Sequence, residues 1–113
     1  MNILETVQGV LNKGAFLGVL PDVPDKAIAL TQYGGNATAF FDCTEDTYHV
    51  QARCRAVSAQ VAAAMAEEVS ATLDRYVGRG IAIRRISPVL DIGQDSRGRR
   101  EYTINFSINM TGG

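Results

Sequence analysis

His49 is the only histidine in the chain, so neither a histidine-dependent triad nor a multi-histidine metal site can be assembled within one subunit. Cys43 and Cys54 form no Cys-x-x-Cys pair, and Cys54 falls on the apolar side of its segment, where a cysteine behaves as a small hydrophobe. Glu67, Glu68 and Asp74 lie on the polar side of a helical pattern. Asp22, Asp25, Asp42, Glu45 and Asp46 sit in loop-like stretches without the spacing of a calcium loop. Gly78-Arg79-Gly80 closes a helix rather than opening one, so it has neither the geometry of a phosphate loop nor that of a dinucleotide fingerprint. These residues predict no enzyme, no metal and no cofactor. What remains is arginine. Arg53 and Arg55 share the polar side of one strand, and Arg97, Arg99 and Arg100 crowd one turn. Such groups either keep exposed strands from pairing wrongly or meet phosphate or the acidic groups of a neighbouring subunit.

The arginine-rich turn is positioned by the clearest pattern in the chain. Tyr102, Ile104, Phe106, Ile108 and Met110 alternate with Glu101, Thr103, Asn105, Ser107 and Asn109, which makes a strand with one buried side. Before it, Gln94-Asp95-Ser96-Arg97-Gly98-Arg99-Arg100 reads as a charged turn. The segment from Ile81 to Ile92 reads as the other arm of a hairpin, with a bulge near Arg84-Arg85 and an irregularity at Pro88. Upstream, Thr47 to Ala56 alternates Tyr48, Val50, Ala52 and Cys54 against His49, Gln51, Arg53 and Arg55. Lys26 to Tyr33 reads as a strand ended by Gly34-Gly35-Asn36. Residues 34 to 46 read as a loop whose Phe40 and Phe41 anchor it or meet a partner, and residues 14 to 25, with Pro21 and Pro24, as an irregular connection.

Two helices complete the pattern. Asn2 caps a short one carrying Ile3, Leu4, Val7, Val10 and Leu11, and Ser58 caps a long one running to about Val77 with Val61, Met65, Val69 and Leu73 along one stripe. The expected architecture is α+β: a four-stranded, mainly antiparallel sheet with two helices packed on one face, in the order α-β-β-α-β-β.

At 113 residues and 46% hydrophobic content the chain suits one domain with a modest core. Eleven basic residues against twelve acidic ones give a net charge of −1, which argues against a general nucleic-acid binder. The absence of a signal-like segment predicts reduced cysteines and a cytoplasmic site of synthesis. No apolar run reaches the roughly 18 residues of a membrane span.

Three stretches carry a family resemblance: Pro21-Asp22-Val23-Pro24-Asp25-Lys26-Ala27-Ile28-Ala29-Leu30 followed by Tyr33-Gly34-Gly35; Val50-Gln51-Ala52-Arg53-Cys54-Arg55-Ala56 leading into an alanine-rich helix; and Ser87 through Tyr102 with the final alternating strand. In that order they resemble the tail-completion, or minor capsid, proteins of tailed bacteriophages, which are similar to tail terminator and head–tail joining proteins. The resemblance implies a single tail-terminator-like domain over residues 1–113 that forms a homomeric ring, commonly a hexamer, at the head-proximal end of the tail. There it would stop growth of the tube and join tail to head. The implied partners are further copies of itself, the tail tube protein and a head connector or neck protein, with DNA only passing through the lumen. It also implies residence in the virion after synthesis in the bacterial host cytoplasm, and no enzymatic activity. The residues expected to carry contacts are Gln94, Asp95, Ser96, Arg97, Gly98, Arg99 and Arg100 in the turn, Gly34, Gly35 and Asn36 after the first strand, and Arg53 and Arg55.

Two alternatives stand beside this reading. One is a head-completion or connector protein of the neck. The other is a small nucleic-acid-binding module using Arg53, Arg55 and the turn arginines. Against the latter, the outward residues His49, Gln51, Thr103, Asn105 and Ser107 offer no aromatic platform for bases.

Overall fold

Both helices form where their caps predict. In a computed structural model that describes residues 2–40 and 43–110, with side chains outside 36–45, helix α1 spans Ile3–Leu11. The Asn2 side-chain oxygen accepts from the backbone N–H groups of Leu4 (2.9 Å) and Glu5 (3.4 Å). Asn12, in the left-handed region at φ 53°, ends the helix. Ile3, Val7 and Leu11 form its buried stripe. Helix α2 spans Ala59–Leu73, with the Ser58 hydroxyl accepting from Val61 N–H, and buries Ala62, Met65, Ala66, Val69, Ser70 and Leu73. It stops short of the expected Val77 because Arg75 turns left-handed (φ 66°) and donates its N–H to the Ile83 carbonyl at 2.9 Å. The chain is thereby returned to the sheet, and Val77 is exposed.

The sheet corrects the expected architecture. Among the described residues it has seven strands, not four: β1 (Phe16–Leu17), β2 (Ala27–Phe40), β3 (Cys43–Ala56), β4 (Val77–Gly78), β5 (Ile81–Arg85), β6 (Leu90–Gln94) and β7 (Arg100–Met110). They run β1-β2-β3-β7-β5-β4, with β6 also on β7. It is mixed, because β1 pairs parallel to β2, Phe16 opposite Ala29. The domain remains α+β.

Besides the short β4, which pairs Val77 with Ala82 and Gly78 with Ile81, three local differences set the sheet apart from the expectation. The connection after α1 contributes β1, whose end is held by Gly18 N–H on the Leu30 carbonyl. The stretch expected as a loop from 34 to 46 is instead a continuous ladder, running from Gly34 opposite His49 to Phe40 opposite Cys43 after a register shift between Gln32 and Gly34. Third, the arm expected as one strand from Ile81 to Ile92 is broken in two. β5 pairs regularly through Arg85 opposite Phe106, and β6 resumes with Leu90 opposite Thr103. Between them Pro88 has no N–H to give, and Asn105 N–H donates not to a ladder carbonyl but to the Ser87 hydroxyl at 2.8 Å. The irregularity thus falls after the expected Arg84-Arg85, with a second shift between Asp91 and Gly93. The reading of Phe40 and Phe41 as anchors lies outside the described side chains.

One face of the sheet presents Ile28, Leu30, Val50, Ala52, Cys54, Ile81, Ile83, Ile104, Phe106 and Ile108 to the two helices, and these make the core. Cys54 is fully buried. Burial pushes its thiol up to about 12, outweighing the nearby Lys13 charge, so it is neutral and unreactive at physiological pH. The other face is polar where β3 and β7 meet, with Thr47 donating to Asn109 at 2.8 Å and Gln51 to Asn105 at 3.1 Å.

Candidate assembly surfaces

The sheet has two unlike ends. At one end lies the turn between β6 and β7, which the Asp95 carboxylate organises by accepting from the N–H groups of Arg97 and Arg99, each at 2.9 Å. Gly98 supplies the left-handed position at φ 75°. The arginines here are not free. Arg99 is 5% exposed and reaches Asp95 (2.7 Å), Asp22 (3.1 Å) and Asp25 (3.3 Å). Arg97 pairs with Asp22 at 3.0 Å and Arg100 with Asp91 at 2.7 Å.

Arg55 joins the same cluster. Though it alternates onto the polar face, it is 3% exposed, donating to the carbonyls of Asp25 (3.0 Å), Pro24 (2.5 Å) and Asp22 (3.4 Å). Two buried guanidinium groups therefore bind the proline-fixed loop before β2 against the outer face of the sheet. Alternation alone assigns these residues to solvent. The available signal was the match between this basic turn and the carboxylates of Asp22, Asp25, Asp91 and Asp95. Arg53 pairs with Glu101 across the same face. Gln94, Ser96, Arg97 and Gly98 remain exposed.

The Asp95 carboxyl carries a pH dependence. Partial burial pushes its pKa upward, but the N–H groups of Arg99 and Arg97 and the Arg99 guanidinium prevail and hold it below the usual carboxylate range. A folded-state pKa below the unfolded one gives stability that is complete above the unfolded value and fades as pH falls through the folded one. Asp95→Asn is therefore expected to lower the thermal midpoint at neutral pH, with the gap from wild type narrowing below about pH 4. Thermal melts across that range check this. A gap that stayed constant with pH would show that the charge contributes nothing.

The other end is formed by the β2–β3 hairpin, which carries Gly34, Gly35 and Asn36. The nine β3 residues from Thr47 to Arg55 span roughly 30 Å at about 3.3 Å per residue, so the two groups of expected contact residues stand apart and are not brought together. β7 accompanies β3 only as far as Thr47 opposite Asn109. Among the described residues, β2 and β3 continue alone beyond it as a two-stranded arm, consistent with overall dimensions of 51 × 23 × 21 Å. Gly35 fits at the root of this arm because a Cβ there would come within 2.4 Å of the Thr47 carbonyl oxygen. Tyr33, beside the register shift, is half exposed and leans on His49, with ring centres 5.6 Å apart. The Asn36 side chain lies outside those described.

A third feature was not anticipated. Arg75, Arg79, Arg84 and Arg85 are all exposed near β4 and β5, but they point to different surroundings: the Arg79 guanidinium lies against Gly9 of α1, and Arg85 donates to the Ser70 hydroxyl of α2 at 3.2 Å. None makes an ion pair among the described residues. Arg75 and Arg84 line a shallow cleft of about 280 Å³ together with Ala82, Ile83, Ser107 and Asn109. They come from a helix end, a turn and a strand, so no sequence window gathers them as a motif.

Among the described residues, no three His, Cys, Asp or Glu side chains are grouped to hold a metal ion, and no helix is long and apolar enough to cross a membrane.

These features define a class: an α+β subunit with one helix-covered mixed sheet, a polar outer face and a projecting hairpin arm. The chain belongs to the bacteriophage tail terminator family. The family described as "Bacteriophage tail terminator protein" matches residues 5–111, making this chain a structural protein of the phage tail. Among solved structures it is similar to a chain of the "Virion of native gene transfer agent (GTA) particle", with a TM-score of 0.70 over 94% of this chain and 84% of that one. At 12% identity that likeness is one of fold. No curated protein matches.

Proposed function

We propose that this chain assembles into a homomeric ring, a hexamer, at the head-proximal end of the tail, where it ends the tube and receives the head connector, and that it performs no catalysis. The observation that carries this reading is the family match over residues 5–111. The architecture is suited to the task. A ring that joins two different structures needs unlike surfaces above and below, and this sheet ends in a rigidly bound charged turn on one side and a long arm on the other. The turn presents Gln94, Ser96 and Arg97 on a platform fixed by Arg99 and Arg55, so a partner meets a preformed surface and little ordering cost remains at docking. DNA passes through the lumen without being held by this subunit.

Polymerisation of the purified tail tube protein in the presence of this chain tests the reading. Tubes capped at one end by a ring, and shorter than those grown without it, are the expected result. Tubes of unchanged length with no added density at either end would reject it.

A further inference from the structure

We propose that the free edge of β6 in one copy pairs with the free edge of β1 in the next, so that the sheet continues from subunit to subunit around the ring. The inference rests on the ring reading above and names the surfaces that make it.

The first surface is β6. It pairs with β7 along one side, and among the described residues no strand pairs with its other side. Lysine, arginine or a covering element commonly guards such an edge. Here Leu90-Asp91-Ile92-Gly93-Gln94 carries no positive charge, and its one carboxylate is held by Arg100 within the chain. Leu90 and Ile92, with Ile86 on the approach, are exposed apolar side chains. The neighbouring β5 is protected differently, since it ends in Arg84-Arg85 and is flanked by β4.

The second surface is β1. It meets β2 at Ala29 and Leu30, and its outer side also has no strand partner among the described residues. Phe16 and Val19 are exposed here. Phe16 borders a cleft of about 290 Å³ whose walls include Pro24, Ala27, Ile28 and Met65, which gives apolar side chains of a neighbour room to pack.

The register puts the two edges level. Phe16 lies opposite Ala29, Ala29 opposite Arg53, Arg53 opposite Thr103, and Thr103 opposite Leu90. One row of paired residues therefore crosses the whole sheet and ends in an exposed apolar side chain at either edge. Strand sense matches as well. β1 runs with β2, and β3, β7 and β6 each reverse their neighbour, so β6 runs opposite to β1. Copies set side by side in one orientation thus bring Leu90 of one beside Phe16 of the next as an antiparallel pair. Unpaired backbone groups on both edges then find partners. Because the two edges differ, each contact leaves one of each kind free, and the series ends by closing on itself.

Native mass spectrometry of wild type, Phe16→Lys, Leu90→Glu and the double variant Phe16→Lys/Leu90→Glu, each alone and with the purified tail tube protein, tests this. Wild type is expected to form rings. Each single variant should assemble at least about tenfold more weakly, because a charge enters the contact without a partner, while keeping the wild-type circular dichroism spectrum. The double variant should regain rings, since the new carboxylate of one copy then meets the new ammonium of the next. Hydrogen exchange on wild-type rings needs no variant: amides of Phe16–Val19 and Leu90–Ile92 should gain protection relative to dilute monomer. Rings of wild-type strength in either single variant, a double variant no better than the singles, or unchanged exchange at both edges would each overturn the pairing and leave the ring standing. A wild-type chain that stays monomeric at every concentration, with and without the tube protein, would overturn both.

Discussion

Phe106→Ala is expected to lower the unfolding free energy by about 3–5 kcal/mol, the range for removing a fully buried aromatic side chain. Phe106 is 1% exposed and sits in β7, with Val50 of β3 opposite on one side and Arg85 of β5 on the other. Helix α2 packs over β7 and β3, so the vacated space is walled by secondary structure that cannot collapse into it. A domain of this size has roughly 5–15 kcal/mol in total, so the variant gives up a large share of its stability. Urea unfolding is expected to show a lower midpoint at unchanged slope. Val77→Ala, at a residue 75% exposed, should stay within about 0.5 kcal/mol and serves as the control. A Phe106→Ala loss below about 1 kcal/mol would mean the core is not closed over β7.

The second large effect is expected at Gly35→Ala. The added methyl would meet the Thr47 carbonyl oxygen at 2.4 Å and the Tyr48 Cα at 3.3 Å. Both are backbone atoms, so relief requires the ladder itself to open at the root of the arm. The expected cost is about 1–3 kcal/mol, as for overpacking elsewhere, but localised. Hydrogen exchange should show faster exchange in the arm amides with α1 and α2 still protected. Gly34→Ala is the informative contrast: its Cβ would lie 3.5 Å from the His49 ring, an ordinary contact. Equal behaviour of the two variants would show that the arm does not depend on that close approach.

The helices, the inward and outward faces of β3 and β7, and the cysteine buried between them were legible because each rests on a local rule. Asn2 and Ser58 supply caps, and the alternation from Tyr102 to Met110 has period two over a whole strand. The arm was not legible because nothing in its sequence marks a strand. Its Ala, Thr, Asn and acidic residues show no apolar alternation, and Gly34-Gly35 reads as a strand end although Gly35 is what lets the strand continue against Thr47. β1 is only two residues long and owes its existence to its neighbour. Arg55 and Arg99 were misread for a different reason. Period two places Arg55 on the wet face, but that face is covered at this end by the loop containing Asp22, Pro24 and Asp25, a tertiary fact that no strand pattern encodes. The pairing of Arg75 with Arg84 in one cleft was invisible because the fold, and not the sequence, makes them neighbours.

The proposed role is that of a rigid subunit that closes into a ring where the tail meets the head. Cryo-electron microscopy of the assembled particle tests that most directly. The prediction is a single closed ring of this fold, capping the head-proximal end of the tube. Copies found along the length of the tube or at its distal tip would contradict it.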